Sequence, residues 1–393
     1  MKVAHVIGYF QPELGYREYY YARNLSKKGI EVHVITSNKI YPFRDSKQFF
    51  KDLGLPPTRN RQIGYEFFDG LHIHRLESVF ELHDLIFVKG LQSCIKRINP
   101  NIIHAYEGRQ GMSALPYRYA DDYNYKIYYE HEQRWIKEGI LRKLDFILRR
   151  PFIKNISMSA EIINVASEAS KNFLTKNFKG IDNKIKMLPL GADKEIFSYV
   201  RNEKTERLKR HLNISKDEKV IITVGQITPR KDFHNLLKSF FNIDIKKKLI
   251  LLILGSGKKK YIQDLKLLSE KLRSENKRVI FHASVRNDKL KYYYSIADLG
   301  VWYQASISII EAMATGLPLL IYYSPSVNHL IANNSGKFYN SWNEFSLKVK
   351  EIFSSEKKIN NMRKHTQKHF TKYFDYNRIT NELINRYNSL INK

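Results

Sequence analysis

The sequence predicts an α/β protein built as two doubly wound parallel-sheet domains. Three observations carry this. Short β-branched, apolar runs alternate with helical runs across residues 3–167 and again across 219–322. A polar, charged stretch running to about residue 217 separates the two blocks. The chain has 393 residues, 43% of them hydrophobic, enough apolar material for two cores. Strands alternating with helices imply parallel sheets with helices on both faces.

In the first block, residues 3–7 are an apolar strand and 16–28 a helix that stops at Gly29, a residue suited to a left-handed helix end. Residues 31–36 are a strand. Residues 41–65 carry Gly54, Pro56, Pro57 and Gly64 with weak periodicity and read as a long loop. A strand at 70–76, a helix at 87–98, a strand at 102–105, a helix at 111–121 and a strand at 126–130 follow. Residues 136–153 place Ile140, Leu144 and Ile147 on one helical face beside Arg142, Lys143, Arg149 and Arg150. Such a helix packs on the first sheet or lies on an anionic membrane surface, and the sequence leaves both open. A strand at 162–167 closes the block.

Residues 187–193 interrupt the pattern, and the polar run after them reads as a linker. The second block opens with a strand at 219–225. It continues with a helix at 234–241, a strand at 249–254, the turn Gly255-Ser256-Gly257 and a helix at 261–273. A strand at 279–281, a helix at 287–297, a strand at 299–303, a helix bearing Glu311 at its start and a strand at 319–322 complete it. Residues 370–391 are helical in pattern. Expected boundaries are 1–190, 191–368 and 369–393. Ligands of open α/β sheets bind beyond the carboxyl ends of the strands, so a cleft between the two sheets is the expected site.

The charge balance is unusual: 67 basic against 39 acidic residues, a net charge of +28. That field favours phosphorylated ligands or anionic membrane, or simply reflects a basic proteome. The basic residues are dispersed and form no nucleic-acid motif, so no nucleic-acid partner is expected. No apolar run approaches the ~18 residues of a membrane span, and the N-terminus lacks the pattern of a signal peptide. Cys94 is the single cysteine, which fits a reducing cytoplasm. With no Asp-x-Asp element at a strand end and no His/Cys cluster, neither a metal nor a separate cofactor is expected.

Five segments carry candidate chemistry. Gly15-Tyr16 precedes a helix, where backbone N–H groups and the helix dipole favour ligand oxygens. His131, in Tyr129-Glu130-His131-Glu132, stands at a strand's carboxyl end. Val224-Gly225-Gln226-Ile227-Thr228-Pro229-Arg230-Lys231 puts two cations just after a strand. Gly255-Ser256-Gly257 is a tight turn after the next strand. Tyr303-Gln304-Ala305-Ser306-Ile307-Ser308 leads to Glu311-Ala312-Met313-Ala314-Thr315-Gly316-Leu317-Pro318, with an isolated carboxylate among apolar residues. Burying such a carboxylate unpaired is costly, so it is expected to bind something.

Over nearly the whole chain this order of segments resembles the retaining glycosyltransferases of family 4, with the GT-B fold. The resemblance implies two Rossmann-like domains facing across a cleft, the first for the acceptor and the second for the nucleotide sugar, with the C-terminal helix crossing back. It implies that Lys231, with Arg230, meets the diphosphate, that Glu311 accepts the ribose hydroxyls and that His131 lies near the transferred sugar. Gly15, Tyr16, Gly225, Gln226, Gly255, Gly257, Tyr303, Gln304, Ser306, Ile307 and Ser308 then line substrate. Two positions depart from the family pattern: Gln226 stands where an Arg is expected and Tyr303 where a Glu is expected.

The resulting expectation is an NDP-sugar donor, a glycan or lipid-linked acceptor in cell-surface polysaccharide or glycoconjugate synthesis, and a cytoplasmic location. Peripheral attachment at the inner face of the membrane through 136–153 stays open. A catalytically silent nucleotide-sugar-binding or scaffold paralogue, and a hydrolase or epimerase of the same fold, are the alternatives.

Overall fold

The computed structural model describes residues 1–42, 50, 58–136, 138–332 and 334–392. The chain divides into two compact units, Met1–Pro189 with Tyr376–Lys393, and Leu190–Asp375.

The first unit is built on β1 (Lys2–Val6), β2 (Glu31–Ser37), β3 (Gly64–Phe68), β4 (Leu71–Leu76), β7 (Ile102–Tyr106), β8 (Lys126–His131), β9 (Ile162–Val165) and β10 (Ile185–Met187). These form one sheet in the order β10-β9-β8-β7-β1-β2-β4-β3, parallel except for β3 against β4. The central strands β1, β2 and β7 are buried along nearly their whole length, as strands covered on both faces must be. A separate hairpin joins β5 (Ser78–Leu82) to β6 (Leu85–Val88). The second unit has a wholly parallel sheet: β11 (Glu218–Val224), β12 (Lys248–Leu254), β13 (Lys277–His282), β14 (Leu299–Trp302), β15 (Leu319–Tyr322) and β16 (Gly336–Tyr339). Its order is β13-β12-β11-β14-β15-β16. Two apolar clusters, one around Val220, Ile222 and Leu252 and one around Ile221, Leu251 and Leu320, cover its faces. Each fully buried Leu or Ile there is worth about 1.5–3 kcal/mol.

Several elements differ from the sequence expectation. Residues 87–98 are not one helix: β6 comes first, Gly90 turns the chain at φ 81, and the helix is Leu91–Ile98. The hairpin is held by contact of the Phe80 and Phe87 rings. Residues 111–121 are not a continuous helix, since Pro116 sits in a 3-10 turn, Leu115–Tyr119, before a single helical turn, Ala120–Tyr123. The expected linker is part of the second unit. Ala192 and Phe197 enter its core, and Glu203–His211 is a helix with a capping box at Asn202 and Thr205. Of the expected loop 41–65, residues 43–49 and 51–57 lie outside the described residues, and β3 occupies its end. The amphipathic helix runs Ile140–Ser159, starting after Gly139.

The C-terminal region is two helices. Glu356–Tyr373 places Phe370 and Phe374 in the second unit's core, and Tyr376–Ile391 belongs to the first unit. In that last helix Tyr376 stacks on Tyr20, and the Tyr387 hydroxyl lies 2.6 Å from His104 Nδ1. Arg386 donates to Asn164 Oδ1 at 3.0 Å and to the Met187 carbonyl at 2.8 Å.

Candidate active site

In the second unit the chain starts at β11, adds β12 and β13 on one side, then crosses to β14 on the other. The switch point therefore lies between the carboxyl ends of β11 and β14, where such sheets bind ligands. Three of the sequence-predicted segments leave β11, β12 and β14, which are neighbours.

Their backbones are locked together. Trp302 Nε1 donates to the Val224 carbonyl at 3.2 Å and to Ser308 Oγ at 3.0 Å. Ser308 Oγ donates to the same carbonyl at 3.0 Å and lies 2.8 Å from Ser306 Oγ. Gln304 Nε2 donates to the Arg230 carbonyl at 2.8 Å. Ser308 is thus buried and committed to the backbone, while Ser306 and Gln304 are only half-buried. The helix Ile307–Ala314 follows with no side-chain cap at Ser306, and it ends at Gly316, whose φ of 74 closes a tight turn before Pro318.

Gly225 has a φ of 135, and a Cβ there would lie 2.5 Å from Lys231 Nζ. Glycine is required so that the ammonium can lie against the strand end. Among the described residues no carboxylate pairs with Lys231. Burial, helped by the Arg230 charge, pushes its pKa down to about 8. Arg230 and Gln226 are exposed beside it. A half-buried, unneutralised ammonium next to hydroxyl and amide groups is a seat for an anion.

Gly255 and Gly257 answer a different need. A Cβ on Gly255 would lie 1.9 Å from the Gly225 carbonyl oxygen, and one on Gly257 2.1 Å from that of Ile227. Ile227 and Gly257 form a parallel bridge. These glycines let the second loop pack against the first.

Glu311 lies a full turn into its helix rather than at the helix start, and it is buried. Asn287 Nδ2 donates to one of its oxygens at 2.8 Å, and the Tyr294 hydroxyl to the other at 3.3 Å. Burial pushes its pKa up to about 7 against the pull of these two bonds. Each oxygen retains acceptor capacity for a further hydroxyl. Tyr303 packs into an aromatic group, its ring 5.5 Å from and nearly parallel to that of Trp342 and 4.6 Å from that of Tyr322.

In the first unit, Gly15 has φ 62 and closes the turn Pro12–Leu14, and the half-exposed Tyr16 caps the helix Arg17–Lys27. His131 ends β8 and is buried, stacked on Phe173 at 5.5 Å, with Nδ1 2.9 Å from the Tyr129 hydroxyl. Burial drives its pKa down to about 3, so the ring is neutral. Its Nε2 is buried without a hydrogen-bond partner.

Sequence reasoning missed the group beside it. Arg17 lies 3.1 Å from Glu130, 2.5 Å from Glu132 and 3.7 Å from Glu107. Asn164 Nδ2 donates to both Glu130 oxygens. Burial, then the charge of Glu132, pushes Glu107 up to about 7. The available signal was positional: Glu107, Glu130 and Glu132 stand at or just past the carboxyl ends of adjacent strands.

Residues 204–369 match the family model of the glycosyl transferases group 1. An uncharacterized glycosyltransferase of Methanocaldococcus jannaschii is 29% identical over 186 residues, 47% of this chain and 44% of that protein. The alpha-monoglucosyldiacylglycerol synthase of Streptococcus pneumoniae is 23% identical over 220 residues, 54% of this chain and 48% of its own. The matched stretches thus span about half the length of these relatives. Among solved structures, Anabaena HepE in complex with UDP superposes with a TM-score of 0.72 at 13% identity, covering 99% of this chain and 100% of that one, a likeness of fold. Residues 204–369 are thus similar to the glycosyl transferases group 1 family, and the chain as a whole has the GT-B fold, an α/β scaffold of two units.

Proposed function

We propose that the protein transfers a sugar, with retention of anomeric configuration, from a nucleoside-diphosphate sugar to a glycan or a lipid-linked acceptor. The observation that carries this is Lys231 Nζ, seated without a carboxylate partner against Gly225 at the β11–β14 switch point. In the reaction the bond from the anomeric carbon to the phosphate oxygen breaks. A bond from the acceptor oxygen to that carbon forms on the same face, and the acceptor's proton passes to the departing diphosphate. Lys231 and Arg230 stabilise the charge that gathers on the leaving group, more in the transition state than in the ground state. Ser306 and the uncapped start of Ile307–Ala314 offer neutral donors to phosphate. Glu311 takes ribose hydroxyls, and in the first unit the neutral His131 keeps its Nε2 free for a ligand hydroxyl. HepE, similar in fold, was solved with UDP, which favours a uridine donor among the candidates.

The test is thermal shift with UDP-, GDP-, ADP- and TDP-sugars, followed by turnover assays with the donor that raises the melting temperature. Lys231→Ala is expected to lower transfer by about 10²–10³-fold while keeping the wild-type melting temperature. Near-normal turnover in that variant would remove the diphosphate assignment. Tyr303, packed against Trp342 and Tyr322 where the family pattern has a carboxylate, favours one second reading, a nucleotide-sugar-binding protein without turnover. Donor binding with no transfer and no hydrolysis would select it.

A further inference from the structure

A run of exposed apolar side chains in the first unit lies on the helix Ile140–Ser159. Ile140 and Leu141 are 79% and 80% exposed, and Leu144, Ile147 and Leu148 are each more than half exposed. On the same helix stand five basic residues and one acid, Asp145, which is tied to the buried Arg149 at 2.7 Å. Arg142, Lys143, Arg150 and Lys154 are exposed. The hairpin β5–β6 is fastened to this helix by Asp84, 3.0 Å from Arg149, and by contact of the Phe87 and Phe152 rings. It adds exposed Val79, Phe80 and Leu82.

Beside the helix opens a cavity of about 300 Å³, with Arg134, Trp135 and Arg142 in its lining. Its carboxylates are already used: Glu107 and Glu132 face Arg17, and Asp145 faces Arg149. Arg109 is held by Asp84. Among the described residues, Arg134 and Arg142 have no carboxylate partner. Two free guanidiniums and a half-exposed indole are thus set where the apolar face begins.

We propose that this face of the first unit seats on an anionic bilayer, with the Arg134–Arg142 cavity taking the phosphate of a membrane-embedded lipid. Resting on the glycosyltransferase reading, that lipid class is the acceptor. Large apolar side chains flanked by cations favour the interface of a charged leaflet, each cation adding to the attraction. Among the described residues no helix is long and apolar enough to cross a membrane, so the contact is interfacial.

The test is flotation of the full chain, without nucleotide, on phosphatidylcholine vesicles with and without phosphatidylglycerol. The wild type is expected to float with the anionic vesicles and not with phosphatidylcholine alone. Leu144→Ser with Ile147→Ser should weaken that binding at least about tenfold. Arg134→Gln with Arg142→Gln should weaken it about thirtyfold, from two surface cations. Both pairs lie outside the second unit, so both variants should keep the wild-type melting temperature and thermal shift with UDP. Flotation that ignores phosphatidylglycerol, or that both variants keep in full, overturns the proposal. Displacement by inorganic phosphate at constant ionic strength assigns the cavity to a soluble phosphate and overturns it also. If vesicles bind as expected while no nucleotide sugar does, the membrane seat stands and the transferase reading falls.

Discussion

At the carboxyl edge of the first sheet, Arg17 gathers the buried Glu130 and the part-exposed Glu107 and Glu132, whereas at the edge of the second sheet Lys231 has no carboxylate partner among the described residues. The strands beneath are alike, parallel and buried. The difference lies in how each edge settles its charge. The first edge sets a guanidinium of its own fold, and Asn164 besides, against these carboxylates, so the Arg17 group is bonded within the fold. The second leaves its cation without a carboxylate partner among the described residues, which on the proposed reading suits it to an anionic ligand. The contrast separates the two kinds of substitution below, ranked by their cost in stability.

Arg17→Met should have the largest effect. It leaves the buried Glu130 and the part-exposed Glu107 and Glu132 facing one another without that cation. Breaking a buried ion pair from one side costs about 3–5 kcal/mol. Urea unfolding of the full chain reads this directly. An unchanged midpoint would show that Asn164 and the raised pKa of Glu107 already neutralise the cluster, and the contrast would fail. Lys231→Ala, by comparison, should leave stability untouched, because no partner is orphaned.

The two loop glycines come next, with Gly225→Ala the milder. Its φ of 135 and the 2.5 Å approach to Lys231 Nζ both penalise a methyl group. The backbone strain is worth about 1–3 kcal/mol. The ammonium, at the end of a flexible chain, can move aside, so nucleotide affinity should fall by about tenfold or more. Gly255→Ala sharpens the point, because there the obstacle is the Gly225 carbonyl at 1.9 Å, which cannot move alone. It should cost more stability than Gly225→Ala for the same loss of affinity. The reverse order would mean that Gly255 rather than Gly225 makes room for ligand.

Much of the fold was legible because buried parallel strands are written as unbroken apolar runs, as at Ile221-Ile222-Thr223-Val224 and Leu249–Leu254, bounded by glycines. Edge strands β3, β10 and β16 were not, since each is short and lacks such a run. The stretch 87–98 hid a strand because Phe87 and Val88 fit either period, and only the left-handed turn at Gly90 decides. At the site, cations and glycines near strand ends were legible as a list. What each one does was not. Gly225 makes room for Lys231 while Gly255 and Gly257 make room for backbone, and both read as the same residue type. Ser306 and Ser308 read alike too, yet Ser308 is spent on the Val224 carbonyl. The Arg17 cluster draws on residues more than 110 positions apart, 3.1 Å from one another in the fold, and no local pattern announces such a meeting.

Glu311 is a carboxylate of the second unit buried like Glu130 of the first, and it tests where the contrast ends. Among the described residues it has no cation partner, and it accepts from Asn287 and Tyr294, with its pKa raised to about 7. A raised carboxylate pKa means the folded state holds its proton more tightly than the unfolded chain. The stability this brings is full below the ordinary Glu pKa of about 4.5 and is lost as pH rises from there through about 7. Glu311→Gln keeps an acceptor for Asn287 and cannot ionise. Its stability relative to wild type should therefore climb between pH 5 and 8, by about 2–3 kcal/mol. Nucleotide affinity at pH 8 should move the other way, falling about tenfold as charge-assisted bonds to hydroxyls become neutral ones. A variant that gains stability and loses ligand together marks a residue kept for binding at the expense of the fold. If Glu311→Gln instead melts lower at every pH with affinity unchanged, Glu311 belongs with the carboxylates of the first unit, as structure.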